Sequence, residues 1–287
     1  MAIDLSWART GRVYAWLGAE GFLVGAVILL LLNLGLGGQP GTGLAQYASS
    51  TWQVVLGSTF LLVGMLAIIP VGLTLRERLG RGAGPELMAT LFLAGSLLGV
   101  SSRLLLIPVR LSLANVAATR GIQPQALNGF LLTYSLIESA ANWLLYGWLL
   151  LTGLALYHAS RAAMQSGALP RAWGWLGLTA AAGCWLAVLL TLVTLIADVP
   201  AVSVAGRLSM AVLGVILLPA WLTWVGRELS VALKREQTAT AEGIPEGMGG
   251  RTMRVPHAAV RVPDWLLRVT GRPSLALKAR PSSQHPD

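Results

Sequence analysis

The sequence predicts an all-α membrane protein: a polytopic bundle of six transmembrane helices, both ends cytoplasmic, with a flexible basic C-terminal tail. Three observations predict it. Of 287 residues, 55% are hydrophobic and only 11% charged, with a mean hydropathy of +0.66, whereas soluble proteins carry about 25% charged residues. The apolar residues form continuous runs near the ~20 residues that a helix needs to cross a bilayer, not the alternating ten-residue segments of a membrane barrel. The basic residues gather on alternate sides of these runs. The same composition excludes disorder, which needs low hydrophobicity and high charge. The lone Cys184 excludes a disulfide framework. Because the basic residues flank the spans, the net charge of +9 is explained by membrane orientation and no nucleic-acid partner is expected.

The six runs are Tyr14–Leu36, Thr51–Leu75, Leu87–Ile107, Leu127–Tyr157, Trp173–Ala197 and Val204–Val225. The first is too long for a signal peptide and contains Glu20; Gly37, Gly38, Pro40 and Gly41 punctuate its end. Pro70, Pro108 and Pro219 are expected to kink or end helices. Pro108–Gln125 mixes Val109, Leu111, Leu113 and Val116 with Arg110, Asn115 and Arg120, the pattern of a short interfacial helix closed by Gly121 and Pro124. Residues 1–226 thus form the transmembrane domain and 227–287 a basic, largely disordered tail. Within the tail, Trp265, Leu266, Leu267 and Val269 beside Arg268 are candidates to lie on anionic inner-leaflet lipids.

Orientation follows from the basic residues. All of the 21 Lys and Arg except Arg103, Arg110, Arg120 and Arg207 fall on the side holding the two termini, which is therefore the cytoplasmic side. Gly37–Ser50, on the other side, has no charge. Trp16, Trp52, Trp173, Trp175, Trp221 and Trp224 stand at span ends, where indole rings anchor at the headgroup level; Trp143, Trp148 and Trp185 read as packing residues.

Ionisable side chains inside a bilayer cost about 2.5–3.5 kcal/mol each on insertion scales, so they mark sites or internal partners. Glu20, Arg103 and Glu138 qualify. At 1.5 Å per residue, Arg103 and Glu138 lie at similar depths in the outer half, on spans adjacent in sequence, and an Arg103–Glu138 ion pair is expected. Glu20 falls in the inner half, nearer Arg12. Tyr134, Glu138 and Asn142, flanked by Ser135 and Ser139, share one face at i, i+4, i+8. That stripe reads either as an interhelical fastening or as a polar, proton-linked site. Gly21-Phe-Leu-Val-Gly25 and Gly95-Ser-Leu-Leu-Gly99 are small-xxx-small patterns that bring helices close, within the chain or in a homo- or hetero-oligomer. Glu20 and Glu138, each early in its span, are too little to establish an inverted repeat.

Chemistry-bearing motifs are scarce. His158, His257 and His285 lie at a span end and in the tail, which disfavours haem ligation. There is no His-Glu-x-x-His, no nucleophile elbow and no phosphate-binding loop. No catalytic residue, metal or cofactor is assigned.

Gly167-Ala-Leu-Pro-Arg-Ala-Trp-Gly-Trp-Leu-Gly-Leu178, after a long apolar span, resembles the turn before the fifth helix of bacterial multi-pass proteins of unknown function, the DUF4386-like membrane proteins. Arg103 in the third span suits that group. The Glu that the group places before a Leu-Trp-Leu run is missing from Leu213–Leu222. The resemblance covers Val13–Glu228 as a topology and implies six helices with no assigned activity. The expected role is a non-enzymatic accessory or structural protein of a bacterial inner membrane, whose one general partner is the lipid bilayer. The alternatives are a small-solute or ion transporter built on Arg103, Tyr134, Glu138 and Asn142, and, last, an intramembrane enzyme.

Overall fold

The computed structural model describes residues 5–35, 51–80, 82–118, 124–197 and 200–242, and all of them except Glu242 belong to one compact unit. Among them there is no strand. The order is α1 Leu5–Gly35, α2 Thr51–Leu79, α3 Ala83–Ala118, α4 Pro124–Ser166, α5 Arg171–Ala197 and α6 Pro200–Val212. A five-residue π-helical segment, Leu213–Leu217, then leads directly into α7 Leu218–Glu242. Among the described residues, six stretches are long and apolar enough to cross a membrane: Trp7–Leu31, Thr51–Leu79, Ala83–Ser112, Leu132–Ser166, Arg171–Thr194 and Val204–Lys234. Their outward faces are apolar as well, with Leu31, Leu97, Leu132, Leu189 and Leu208 exposed and Ile196 86% exposed. Water would penalise such a surface by about 25 cal/mol per Å², and lipid would not.

Successive helices run antiparallel. Thr74 Oγ1, late in α2, donates to the Trp7 carbonyl early in α1 at 3.2 Å. We call this the N-terminal end of the bundle and the opposite one the far end. The first small-residue pattern is used between α1 and α2: a Cβ on Gly21 would lie 2.8 Å from Gly64 N and from Phe60 O. The second is used against α4, where a Cβ on Gly99 would meet Met65 Sδ at 2.7 Å and Trp148 Cδ1 at 2.9 Å. Both patterns are therefore occupied inside the chain. The core continues through Phe22, Phe92, Leu149, Leu156, Trp173 and Trp221.

Several helices extend past their expected bounds. Pro108 does not end α3, and the expected interfacial helix is the continuation of α3 to Ala118. A proline inside a helix removes one N–H and crowds the carbonyl four residues back. An apolar helix packed among others tolerates that. Pro70 is likewise internal to α2. Pro219 follows the π segment, where the Leu218 N–H reaches back five residues to the Leu213 carbonyl. The widened turn contains Val215, the residue whose carbonyl the Pro219 ring would crowd. At the other boundary, the helix runs beyond residue 226 to Glu242, with Leu229 and Leu233 buried.

Of the tryptophans expected to anchor, Trp16, Trp52 and Trp175 are exposed, whereas Trp173 and Trp221 are not placed to do so. Those two are fully buried, with ring centroids 5.2 Å apart. Trp173 and Trp175 stand about 200° apart around one helix, so only one of them can face outward. Trp143, expected to pack, is exposed. The expectations for Gly37–Ser50, for Arg120 and for the tail beyond Glu242, including its lipid contact, fall outside the described residues.

The segment behind the family resemblance is a helix–turn–helix joint. Gly167 takes a left-handed φ of 65°, and its N–H bonds the Ala163 carbonyl at 3.0 Å, a glycine-ended helix terminus. Leu169 tucks into the core. The Pro170 carbonyl accepts from Trp173 N at 3.0 Å and so starts α5.

Candidate functional site

The far half of the bundle contains two separate polar arrangements. The first fastens α3 to α4. Ser102 Oγ donates to the Ala141 carbonyl at 2.7 Å, and Arg110 Nη2 donates to Glu138 Oε1 at 2.7 Å. The Arg110 guanidinium also lies over the Tyr134 ring, 5.2 Å from its centroid. Tyr134 and Glu138, one turn apart, thus hold the same cation through its face and its edge.

The expected Arg103–Glu138 pair is not formed; Glu138 bonds Arg110 instead. The reason is side-chain direction. Helical side chains lean toward the N-terminus of their own helix. Arg103 on α3 therefore leans toward the N-terminal end of the bundle, while Glu138 on the antiparallel α4 leans toward the far end, and the two diverge. Arg110, two turns beyond Arg103 on the same face, leans back to the level that Glu138 reaches.

The second arrangement is a cavity of about 740 Å³ that reaches Arg103 and Asn142. Arg103 is 8% exposed. Its Nε has no hydrogen-bond partner, and Arg103 takes part in none of the ion pairs of the described residues. Trp148, whose Nε1 is also buried without a partner, contributes to the same lining. Phe22, Leu61 and Met65 supply apolar wall from α1 and α2. Tyr146, Thr191 and Thr194 add polar groups from α4 and α5. The remaining wall is the sixth span: Arg207 and Leu208 on α6, then Leu213 and Gly214 of the π segment. The exposed members of the lining are Asn142 on α4 and Val204, Arg207 and Leu208 on α6, which places the mouth between these two helices. A Cβ on Gly214 would come within 2.9 Å of Ala26 Cβ, so α1 and the π segment, both part of the lining, approach closely there.

The structure therefore divides the expected site. Arg103 and Asn142 share the cavity, whereas Tyr134 and Glu138 belong to the fastening and are not among the cavity-lining residues. Glu20 belongs to neither. It is exposed, near the middle of Trp7–Leu31, in a shallow groove with Arg12, Trp16 and Ser230. Arg12 and Glu20 are two turns apart on one helix, about 12 Å, and form no ion pair in the structure. At the N-terminal end, Arg78–Glu228 at 3.9 Å links α2 to α7, and Arg76–Glu86 at 3.3 Å links α2 to α3.

Sequence reasoning missed Arg110, Arg207 and the π segment. The signal for the two arginines was present: both interrupt the side otherwise poor in basic residues. Among the described residues no three His, Cys, Asp or Glu side chains converge as a metal would require. Cys184 is buried. No family of known proteins, no curated protein and no solved structure matches this chain.

Proposed function

We propose that this chain is a non-enzymatic, multi-pass protein of a bacterial inner membrane, with both termini cytoplasmic, and that it binds a small ligand in the far half of its bundle. The observation that carries this reading is the cavity of about 740 Å³ reaching buried Arg103. Its size suits a small molecule. An arginine that forms no ion pair among the described residues is expensive to bury unless something comes to meet it. The membrane location rests on six apolar spans with apolar outer faces, and the orientation on the placement of basic residues. The DUF4386-like resemblance is kept as a proposal on the Gly167–Leu178 segment. Glu138 is assigned to holding α3 against α4 and not to the ligand.

The test is cavity filling. Ala211 lines the cavity from α6, and Ala211→Trp occupies it without altering a charge. A small-molecule screen on the purified chain in lipid nanodiscs reads thermal shifts. A ligand at a hundred times its Kd adds about 2.7 kcal/mol, and Ala211→Trp removes that gain. Hits that stabilise the tryptophan variant equally refute the cavity as the binding site.

A second reading, transport of the same ligand, is favoured by the π segment, because part of the cavity wall is a non-α turn of the kind often found at functional positions. Ligand flux into proteoliposomes, abolished by Ala211→Trp, supports it; saturable binding without flux assigns a binding role alone.

A further inference from the structure

Building on the reading of the cavity as a ligand site, we infer that its ligand is an anionic amphiphile, with a carboxylate or phosphate group held by Arg103 and an apolar body lying on the walls from α1 and α2. Among the described residues, the lining includes two arginines, Arg103 and Arg207, and no aspartate or glutamate. The nearest acid along α4, Glu138, is already bonded by Arg110 at 2.7 Å. A guanidinium carries five N–H donors and stays charged at any physiological pH. Here it is 8% exposed, with Nε unpartnered. A cation would be repelled, and a neutral solute would leave the buried charge uncompensated. An oxyanion neutralises it and accepts from two N–H groups at once.

The donor set agrees. Trp148 is in the same lining, and its indole Nε1, buried and without an acceptor, can only donate. Asn142 adds a side-chain amide. These groups suit a head with several acceptor oxygens. The rest of the wall sets the other half of the ligand. Phe22, Leu61, Met65 and Leu213 offer no hydrogen bonds, so a small hydrophilic anion would lose its hydration there for nothing in return. An acyl or similarly apolar body gains from the same surface. Arg207 at the exposed mouth draws anions toward the cavity.

The experiment uses the full-length chain in phosphatidylcholine nanodiscs, a zwitterionic lipid, with empty discs as background. Radiolabelled laurate is the probe; dodecanol, acetate and inorganic phosphate are competitors. The expected result is saturable laurate binding at one per chain. Dodecanol should compete at least tenfold more weakly, and acetate and phosphate not at all. Arg103→Gln weakens laurate at least tenfold, Arg103→Lys keeps it within about threefold, and Ala211→Trp abolishes it. Wild-type affinity in a folded Arg103→Gln variant overturns the inference. Equal competition by dodecanol also overturns it, and needs no variant, so a misfolded Arg103→Gln does not shield the claim. Acetate or phosphate matching laurate shows that the site takes a free anion and removes the apolar half. If dodecanol and laurate bind alike and Ala211→Trp blocks both, the cavity reading survives and only the charge assignment falls. If neither probe saturates the chain, the anionic amphiphile is refuted, and the cavity reading is then decided by the small-molecule screen.

Discussion

Arg103→Met should make the ligand-free protein more stable. Met keeps the unbranched stem of Arg and removes its charged head. Arg103 lies about 9 Å beyond the middle of its span, taking Leu97 as the centre. An arginine costs about 3 kcal/mol at a bilayer centre, and at this depth roughly half of that remains. The unpartnered Nε adds about 1 kcal/mol. Together these give a stabilisation of about 2 kcal/mol, or roughly 5 °C in Tm for a chain of this size. Thermal unfolding in a mild non-ionic detergent without added ligand measures it, read by the loss of monodisperse protein in size exclusion. Adding a saturating anionic ligand reverses the order, because a ligand at a hundred times its Kd stabilises only the wild type, by about 2.7 kcal/mol. A ligand-free Arg103→Met variant that is less stable than wild type by 1 kcal/mol or more refutes the reasoning. Arg103 would then be serving the fold through a partner of its own.

Gly21→Ala should lower stability by about 1–2 kcal/mol, since its Cβ would sit 2.8 Å from two backbone atoms of α2. Overpacking of this kind costs about 1–3 kcal/mol and is only partly offset by better helix propensity; denaturation in detergent decides it, and an unchanged midpoint would mean that α1 and α2 part freely. Arg110→Ala and Glu138→Ala should each destabilise, and the double variant should recover part of the sum, with a coupling energy of about 1 kcal/mol for this partly exposed pair. Additive losses would show that the 2.7 Å contact has no energetic weight. For orientation, Ser112→Cys at the far end and Gln165→Cys at the N-terminal end, both exposed, should react with an impermeant maleimide from outside and only after lysis, respectively. Native Cys184 is buried and stays silent; the opposite labelling pattern inverts the proposed topology.

The six spans were legible because bilayer thickness imposes one strong periodicity-free signal, a run of about twenty apolar residues. Arg103 was legible as a suspect for the same reason: a charge inside such a run is conspicuous. Its expected partner was not, because depth along a helix ignores the lean of the side chain, and that lean moved the Glu138 bond from Arg103 to Arg110. Arg110 was hidden by Pro108, which suggested a break where the helix continues. Trp173 and Trp221 sit at span ends as anchors do, yet which face of a helix is inward depends on neighbours that a single run does not reveal. The cavity itself was invisible, since it arises from six spans failing to fill a space between them, and no residue spells an absence of packing.

The π-helical turn sets the phase of the sixth span. Inward-facing positions run from Gly206 to Leu213 in a step of seven, then from Leu213 to Leu218 in a step of five. The wide turn acts as a one-residue insertion that lets the half bearing Arg207 and the half bearing Trp221 both point at the bundle axis. Deleting Val215 would restore a uniform α-helix and swing one half by about 100° relative to the other. With Trp221 locked in the core, Arg207 would be carried off the mouth, so the span's punctuation, as much as its composition, decides what guards the opening.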